Sequence, residues 1–406
     1  MKTVEILGMG VGNAPLFPSY EKIIQRADIL AGGKQPLDRV MLSDAQRLLI
    51  SSPLDPVIER IRVAAEEGKK VVVLADGDPG FFGIGRLLTE KLGRNHVRIH
   101  PNVTVLQAAA SRLGICWQDI KTVSLHGRKD LSSLFCALAF FDRVAVYTDP
   151  DNTPGRIGSE MHMRRVDAFR MYVFENIGLE NERMTIHIPE QAAYAKFSPL
   201  NFLLLERVRP VEVSPRIGMG DDCYLHERGQ ITKSEVRVAG LAALSISPGH
   251  VVWDLGAGSG SVAIEASLLA RCGRVIAVEK KQERVDLIHE NIRRTGCYHV
   301  EVVYGEMPDC LSGLPEPDRI FIGGGTGRNN RIVKESSKRL KPGGKIVMHL
   351  VLLDSLYRSL KFFSTEGWPC TVSQIWISRA KELGGDLHMK AFNPVFIVSA
   401  DKPRVS

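Results

Sequence analysis

The sequence predicts an α/β protein of two domains, and three observations carry that expectation. Short apolar runs alternate with stretches of helical spacing along most of the chain, the pattern of layers built on largely parallel sheets. The length, 406 residues, exceeds one ordinary domain at roughly 150 residues apiece. The alternation also breaks once, over 209–222, where two prolines and two glycines interrupt any amphipathic period.

Each element follows from its pattern. In the first half, 4–7, 71–75, 122–125 and 144–147 read as buried strands, and 57–67, 82–92 and 131–141 carry helical spacing. Later, 169–174, 184–188 and 202–208 are strand-like with little helix between them, which predicts a more antiparallel portion. A fresh series starts after the break: helix 234–244, strand 251–254, helix 261–270, strand 274–278 and helix 283–294. Strands 300–303 and 319–322, helix 331–340 and strand 345–350 complete it. The expected domains are therefore 1–208 and 226–406, joined by a linker over 209–225. No repeat of solenoid period is evident.

Composition excludes several classes. Hydrophobic residues at 44% and charged residues at 24% fit a folded globular chain rather than a disordered one or a fibre. The longest uncharged apolar run, 134–141, falls far short of the ~20 residues that a bilayer crossing needs, so no membrane partner is expected. Glu5 interrupts the apolar start of the chain, which argues against an export signal. Seven cysteines, none at Cys-x-x-Cys spacing, fit a reducing compartment, and the cytoplasm is the expectation. The net charge of +7 admits an anionic partner, yet no block of five like charges occurs, so no nucleic-acid partner is expected.

The strongest local signal is Val252-Trp253-Asp254-Leu255-Gly256-Ala257-Gly258-Ser259-Gly260-Ser261-Val262. A strand ends in an acid, a glycine loop follows, and a helix begins at Ser261. Glycines let the backbone turn tightly against a ligand, and the helix N-terminus offers free N–H groups. The spacing is neither Gly-x-Gly-x-x-Gly nor a P-loop. The next strand ends at Glu279, an acid about 20 residues on and placed to accept ribose hydroxyls; a helix-capping glutamate is the alternative. Two further strands end at Gly305-Glu306-Met307 and Gly323-Gly324-Gly325. Ligands of open parallel sheets sit beyond the carboxyl ends of the strands, so these loops converge on one crevice.

This set resembles the S-adenosylmethionine-dependent methyltransferases of the Rossmann-like class, over about 231–350. The Asn/Asp-Pro-Pro-Tyr/Phe motif of base-methylating enzymes is replaced by Gly323-Gly324-Gly325, which suits a broad, flat ligand; a merely flexible loop is the other reading.

In the first half, Gly8-Met9-Gly10-Val11-Gly12 follows the first strand, as a nucleotide loop or a tight turn. Ala75-Asp76-Gly77-Asp78-Pro79-Gly80-Phe81-Phe82-Gly83, then the segment from Ile99 through Thr104 to Ala110, then Ser124-Leu125-His126-Gly127-Arg128, resemble the tetrapyrrole methylase family. The last motif and Leu113-Gly114-Ile115-Cys116-Trp117 look like its carbon-5-methylating branch. The region from Ile231-Thr232-Lys233-Ser234 to Asn393-Pro394-Val395-Phe396-Ile397 is similar to the carbon-15-methylating, decarboxylating branch. The order matches fused enzymes of cobalamin biosynthesis.

The resemblance implies S-adenosyl-L-methionine as cofactor and a small-molecule tetrapyrrole as substrate. It implies methylation of precorrin-6B, or its cobalt form, at carbons 5 and 15, with decarboxylation of the ring C acetate to give precorrin-8. It also implies a homo-oligomer. Carried over residue by residue, the cofactor positions are Gly77, Asp78, Thr104, Thr232, Gly256, Ala257, Gly258, Ser259, Gly260, Glu279 and Met307. Gly8, Gly10, Gly12, Arg237, Gly323, Gly324 and Gly325 are the expected substrate positions, Arg237 as a holder of a propionate or acetate, with a solvated helix arginine as the alternative. No catalytic residue and no metal ligand is assigned.

The chain departs from the family at Gly10-Val11-Gly12-Asn13, where Gly-Pro-Gly-Asp is usual, at Asp76, where Ser is usual, and at Thr104-Val105, where paired serines are usual. Asp76 is expected to cap a helix, with assistance to proton removal as the alternative. His126 is expected to be a turn histidine bonded to backbone, and Asp221-Asp222 to be solvated. Two rival functions stay open: an RNA methyltransferase, and an N-terminal half that only binds tetrapyrrole for one active C-terminal domain.

Overall fold

The computed structural model describes all residues except 41–43, 228, 324, 405 and 406, and only the backbone of 328. The chain forms two compact units. One comprises Met1–Arg128, Arg143–Gly158 and Arg170–Glu206; the other comprises Lys129–Asp142, Ser159–Phe169 and Arg207–Ser406.

The first unit holds two five-stranded sheets. Strands β1 (Val4–Gly8), β2 (Ile29–Gly32), β3 (Gln46–Leu49), β4 (Val71–Ala75) and β5 (Val97–His100) run parallel in the order β3-β2-β4-β1-β5. Every residue of β4 is buried, as expected of a parallel strand covered on both faces. The second sheet takes β6 (Lys121–Ser124), β7 (Arg143–Tyr147), β8 (Phe169–Glu175), β9 (Arg183–His187) and β10 (Asn201–Arg207) in the order β6-β7-β10-β8-β9. Its β7–β10 and β8–β9 pairs are antiparallel, the mixed character expected of this stretch. The helix expected from 82 starts instead at Ile84, because Phe82 adopts a left-handed φ of 55° that ends the preceding turn.

The second unit is built on a seven-stranded sheet. Its strands are β11 (Val251–Leu255), β12 (Arg274–Glu279), β13 (Val300–Tyr304), β14 (Arg319–Ile322), β15 (Lys345–Leu350), β16 (Cys370–Ile375) and β19 (Val395–Asp401). The order is β13-β12-β11-β14-β15-β19-β16, parallel through β15, with β19 antiparallel to both its neighbours. A separate antiparallel hairpin pairs β17 (Ser378–Leu383) with β18 (Asp386–Ala391). Trp253, Leu255, Ile276, Val278, Ile320 and Ile322 share one face of the main sheet and pack against Val333, Leu340 and Phe363. Strand order reverses at β11, which makes the carboxyl ends of β11 and its neighbours the natural ligand crevice.

The segment after Arg207 is irregular, as its prolines and glycines dictate, but it is tied down. Val213 N–H donates to the Arg294 carbonyl at 3.0 Å, and Glu212 pairs with Arg293 at 2.6 Å. Asp221 is not simply solvated: it accepts from Ser234 N–H at 3.0 Å and pairs with Arg379 at 2.9 Å. Among the described residues, no helix is long and apolar enough to cross a membrane.

Candidate active sites at two sheet ends

In the second unit the glycine loop leaves β11 and enters the helix Ser261–Leu269. Gly256, Gly258 and Gly260 have φ of 79°, 58° and 76°, the left-handed region where a side chain is strained. A Cβ at Gly260 would also come within 2.9 Å of Ile288, whereas one at Gly258 would meet nothing within 4 Å. Gly260 is therefore fixed by packing, and Gly258 borders open space.

The loop is held by its carboxylates. Gly258 N–H donates to Glu279 Oε2 at 3.0 Å, and the N–H groups of Lys280 and Lys281 donate to Oε1 at 2.9 and 3.1 Å. Gly256 and Ala257 N–H both donate to the Val278 carbonyl at 3.0 Å. Ser259 is buried, with its carbonyl accepting from Asn291 Nδ2 at 2.9 Å. Asp254 is buried and accepts from Ala263 N–H at 3.0 Å, in the first turn of the following helix. Burial pushes its carboxyl up to about 7, against that hydrogen bond.

Thr232 and Met307 stand on the loops before helix Ser234–Leu244 and after β13, where the sequence put them. Gly323 and Gly325 are exposed beyond β14; Gly324 lies outside the described residues.

Arg237 corrects the sequence reading. It is fully buried, neither a surface residue nor open to a ligand. Its Nε donates to Glu265 Oε1 at 2.7 Å, Nη1 to the Thr232 carbonyl at 2.6 Å, and Nη2 to the Met219 carbonyl. Glu265, buried too, also accepts from Gly218 N–H, Met219 N–H and Tyr224 Oη. The guanidinium thus locks the loop that carries Thr232, and its burial keeps it from a substrate carboxylate.

In the first unit a cavity of about 530 Å³ opens where β1, β2 and β4 end, with β7 and β10 of the second sheet across from them. That volume suits a ligand of cofactor size. The loops after β1 and β4 are joined backbone to backbone, Gly10 N–H to the Gly77 carbonyl at 3.2 Å and Gly77 N–H to the Gly10 carbonyl at 2.9 Å. Gly10, Gly12, Gly77, Asp78 and Thr104 all line the cavity.

Gly8 is absent from this lining. A Cβ there would lie 2.7 Å from the Gly77 carbonyl, so its glycine serves loop packing. Thr104 caps the helix Val105–Leu113 in a capping box with Gln107, so its hydroxyl already has a structural duty.

The helix-capping part expected of Asp76 is not what the structure shows. Asp78, not Asp76, holds the turn, accepting from Gly80 N–H at 2.7 Å and Asn102 N–H at 3.1 Å. Asp76 faces the cavity, and among the described residues no hydrogen-bond donor reaches its carboxylate. Although water enters beside it, the protein packed around it raises its carboxyl above the usual range, and the Arg39 guanidinium opposes that rise. His126 stands in a turn, as expected, and also faces the cavity, but among the described residues its ring makes no backbone hydrogen bond.

The sequence reading missed Gln35, Arg39 and the aromatic wall. Arg39 donates to the Met9 and Ala14 carbonyls, both at 2.8 Å, bracing the loop after β1. Tyr147 packs with Phe82 and Phe202 at ring-centroid distances of 5.5 and 5.1 Å, a surface suited to a flat ligand. In the second unit His349 was missed as well. It is buried on β15 in T-shaped contact with Phe321 at 4.6 Å, and burial pulls its pKa down to about 4.

Comparison with known proteins finds a family match in each half of the chain. Residues 3–191 match the family model described as tetrapyrrole (corrin/porphyrin) methylases, and residues 222–402 match the precorrin methyltransferase domain. A precorrin-6Y C(5,15)-methyltransferase [decarboxylating] from Sinorhizobium sp is 33% identical over 396 residues, 96% of this chain and 94% of the relative. A probable cobalt-precorrin-6B C(15)-methyltransferase (decarboxylating) from Sulfurisphaera tokodaii is 34% identical over 189 residues, 46% of this chain and 98% of the relative. A solved structure of a precorrin-6y C5,15-methyltransferase from Geobacter metallireducens is 37% identical, covering 46% of this chain and 100% of that one, with a TM-score of 0.45. Since the Sinorhizobium enzyme is matched along nearly its whole length, across both units and both sites, the chain belongs to the precorrin-6Y C(5,15)-methyltransferase (decarboxylating) family of C-methyltransferases.

Proposed function

We propose that the two sites divide the work: the 1–208 region methylates carbon 5 of a precorrin-6B-type tetrapyrrole, and the 226–406 region methylates carbon 15 and removes the ring C acetate carboxyl. The observations that support this reading are a cavity at the strand ends of the first unit's parallel sheet, and a glycine loop braced by Glu279 where the strand order reverses in the second.

The residues present fit S-adenosylmethionine at both places. In the second unit, Glu279 stands at the end of β12 as the ribose acceptor, Gly258 leaves room beside it, and Gly256 to Gly260 turn the backbone around the ligand. Thr232, before helix Ser234–Leu244, and Met307, after β13, are the further cofactor positions. In the first unit Gly77, Asp78 and Thr104 border a cavity large enough for the cofactor. The bound cofactor supplies a sulfonium-activated methyl group. The protein holds the nucleophilic carbon in line with that methyl and excludes water. Gly10 and Gly12 in the first unit, and Gly323 and Gly325 in the second, let the tetrapyrrole lie close to the backbone. Loss of carbon dioxide needs a desolvated carboxylate and a ring that accepts the electron pair, so no base is required for that step.

Mass spectrometry of a precorrin-6B reaction tests the division. The full chain is expected to add two methyl groups and lose one carbon dioxide. Glu279→Gln is expected to slow only the carbon-15 methylation and decarboxylation. A wild-type enzyme that adds one methyl, with decarboxylation, favours a first unit that only binds tetrapyrrole. No turnover on metal-free or cobalt-loaded substrate, with methyl transfer to RNA instead, overturns the reading. The cytoplasm as the place of action and a homo-oligomeric state belong to the same proposal. Exposed Trp376, Leu387 and Met389 support self-association, which light scattering checks.

A further inference from the structure

We infer that Asp76 is the general base of the first unit, taking the proton from the ring carbon that this unit methylates. The inference rests on the reading that the first unit transfers a methyl group to a carbon bearing hydrogen.

Three structural observations lead to it. Asp76 follows β4 directly, next in the chain to Gly77 and Asp78, so its carboxylate lies beside the loop assigned to the cofactor. It lines the 530 Å³ cavity and points into accessible space, while its chain neighbour Ala75 is buried. Its oxygens hold no structural hydrogen bond among the described residues, in contrast to Asp78, which holds two backbone N–H groups. A carboxylate in a cavity without a structural duty can take up a proton without loosening its loop.

The surrounding groups tune it. Arg39, just past the Lys34–Asp38 helix, lowers its proton affinity, and the protein mass around it raises that affinity by more. Asp78 on the same loop, His126 after β6 and Tyr147 on β7 are the other titratable side chains lining the cavity. Tyr147 is raised well above the ordinary phenol range by burial, so it stays protonated and does not compete as a base. The net effect raises the proton affinity of Asp76, which strengthens it as a base.

The chemistry balances without another reactant. The enamine carbon uses its C=C pair to form the new C–C bond to the methyl, and the C–S pair leaves with sulfur as the neutral thioether. The carbon then carries hydrogen and methyl beside an iminium. Asp76 takes the hydrogen as a proton, and the C–H pair restores the C=C bond and neutralises the ring nitrogen.

The test uses the full-length protein with Asp76→Asn and Asp76→Glu. In wild type, the carbon-5 methylation rate is expected to fall at acid pH along a limb lying above the ordinary carboxylate range. Asp76→Asn is expected to lose at least about 10²-fold in that rate, within the usual range for a general base, and to lose the limb. Asp76→Glu is expected to recover part of the rate and the limb. Cofactor affinity by calorimetry and the carbon-15 reaction are expected to stay as in wild type.

A readout apart from methyl transfer is hydrogen exchange. With S-adenosylhomocysteine in place of the methyl donor and heavy water as solvent, wild type is expected to exchange the carbon-5 hydrogen at least about tenfold faster than Asp76→Asn. If Asp76→Asn keeps wild-type rate, limb and exchange while wild type adds two methyls, the assignment of Asp76 alone is wrong. Loss of cofactor affinity in Asp76→Asn makes it a binding residue and likewise overturns the assignment. A wild-type enzyme that never methylates carbon 5 overturns the proposed first-unit activity and this inference together.

Discussion

Replacing Arg237 by alanine tests whether this arginine is part of the scaffold or a substrate anchor. In the structure each of its three nitrogens donates, to Glu265 Oε1 and the carbonyls of Thr232 and Met219, and both charged groups are fully buried. Alanine leaves Glu265 with the neutral donors Gly218 N–H, Met219 N–H and Tyr224 Oη but without its cation. Removing one partner of such a pair costs about 3–5 kcal/mol. With a urea dependence of about 2–3 kcal/mol per molar for a unit of this size, the midpoint falls by about 1–2 M. Tryptophan fluorescence reads the transition, because Trp253 and Trp368 are buried in the second unit while Trp117 of the first is exposed. Arg237→Lys is expected to lose less, since an ammonium keeps the charge and up to three donors. An Arg237→Ala protein with an unchanged midpoint and a substrate KM raised tenfold would refute the buried-lock argument and restore the arginine as an anchor.

Three further outcomes follow from the second site. Gly260→Ala places a Cβ at φ 76° and 2.9 Å from Ile288; it is expected to cost about 2–4 kcal/mol, from left-handed strain plus overpacking, seen as a lowered melting temperature. Glu279→Gln is expected to weaken cofactor binding at one of two sites, so that calorimetry shows one tight site instead of two. Asp254 carries a pH dependence. Its folded pKa of about 7 lies above the unfolded value near 4, so the native state binds the extra proton between these values, and stability falls by about 1.4 kcal/mol for each pH step of one across that window. Asp254→Asn removes that slope, and urea midpoints from pH 4 to 8 check it; an unchanged slope refutes it.

Much of this architecture is legible because its elements have a strong local signal. Strands β14 and β15 and the helix Ser234–Leu244 fall at the limits that their apolar runs dictate. The glycine loop is legible because left-handed turns demand glycine. The parts that stayed hidden have no such signal. Strands β2 and β3 are four residues each, too short to show a period, and β3 buries only Leu48. With them went Gln35 and Arg39, whose place in the cavity depends on where β2 ends. Strands β17 and β18 are exposed over most of their length, so no alternation marks them. Arg237 was misread because its partner Glu265 is 28 residues away, and only tertiary packing brings the two together.

The two crevices share a position at the carboxyl ends of parallel strands but use their acids differently. In the second unit Asp254 and Glu279 accept from backbone N–H groups that shape the loop, so each carboxyl already has a structural duty. An acid in that condition is suited to holding a cofactor and poorly suited to cycling a proton. Decarboxylation makes no demand for a base, since the departing carboxyl leaves its electron pair behind. Methylation of a carbon that bears hydrogen does make that demand. On the proposed reading the first unit meets it with two neighbouring acids of separate duty: Asp78 keeps the turn, and Asp76, which holds no hydrogen bond among the described residues, faces the cavity to take the proton.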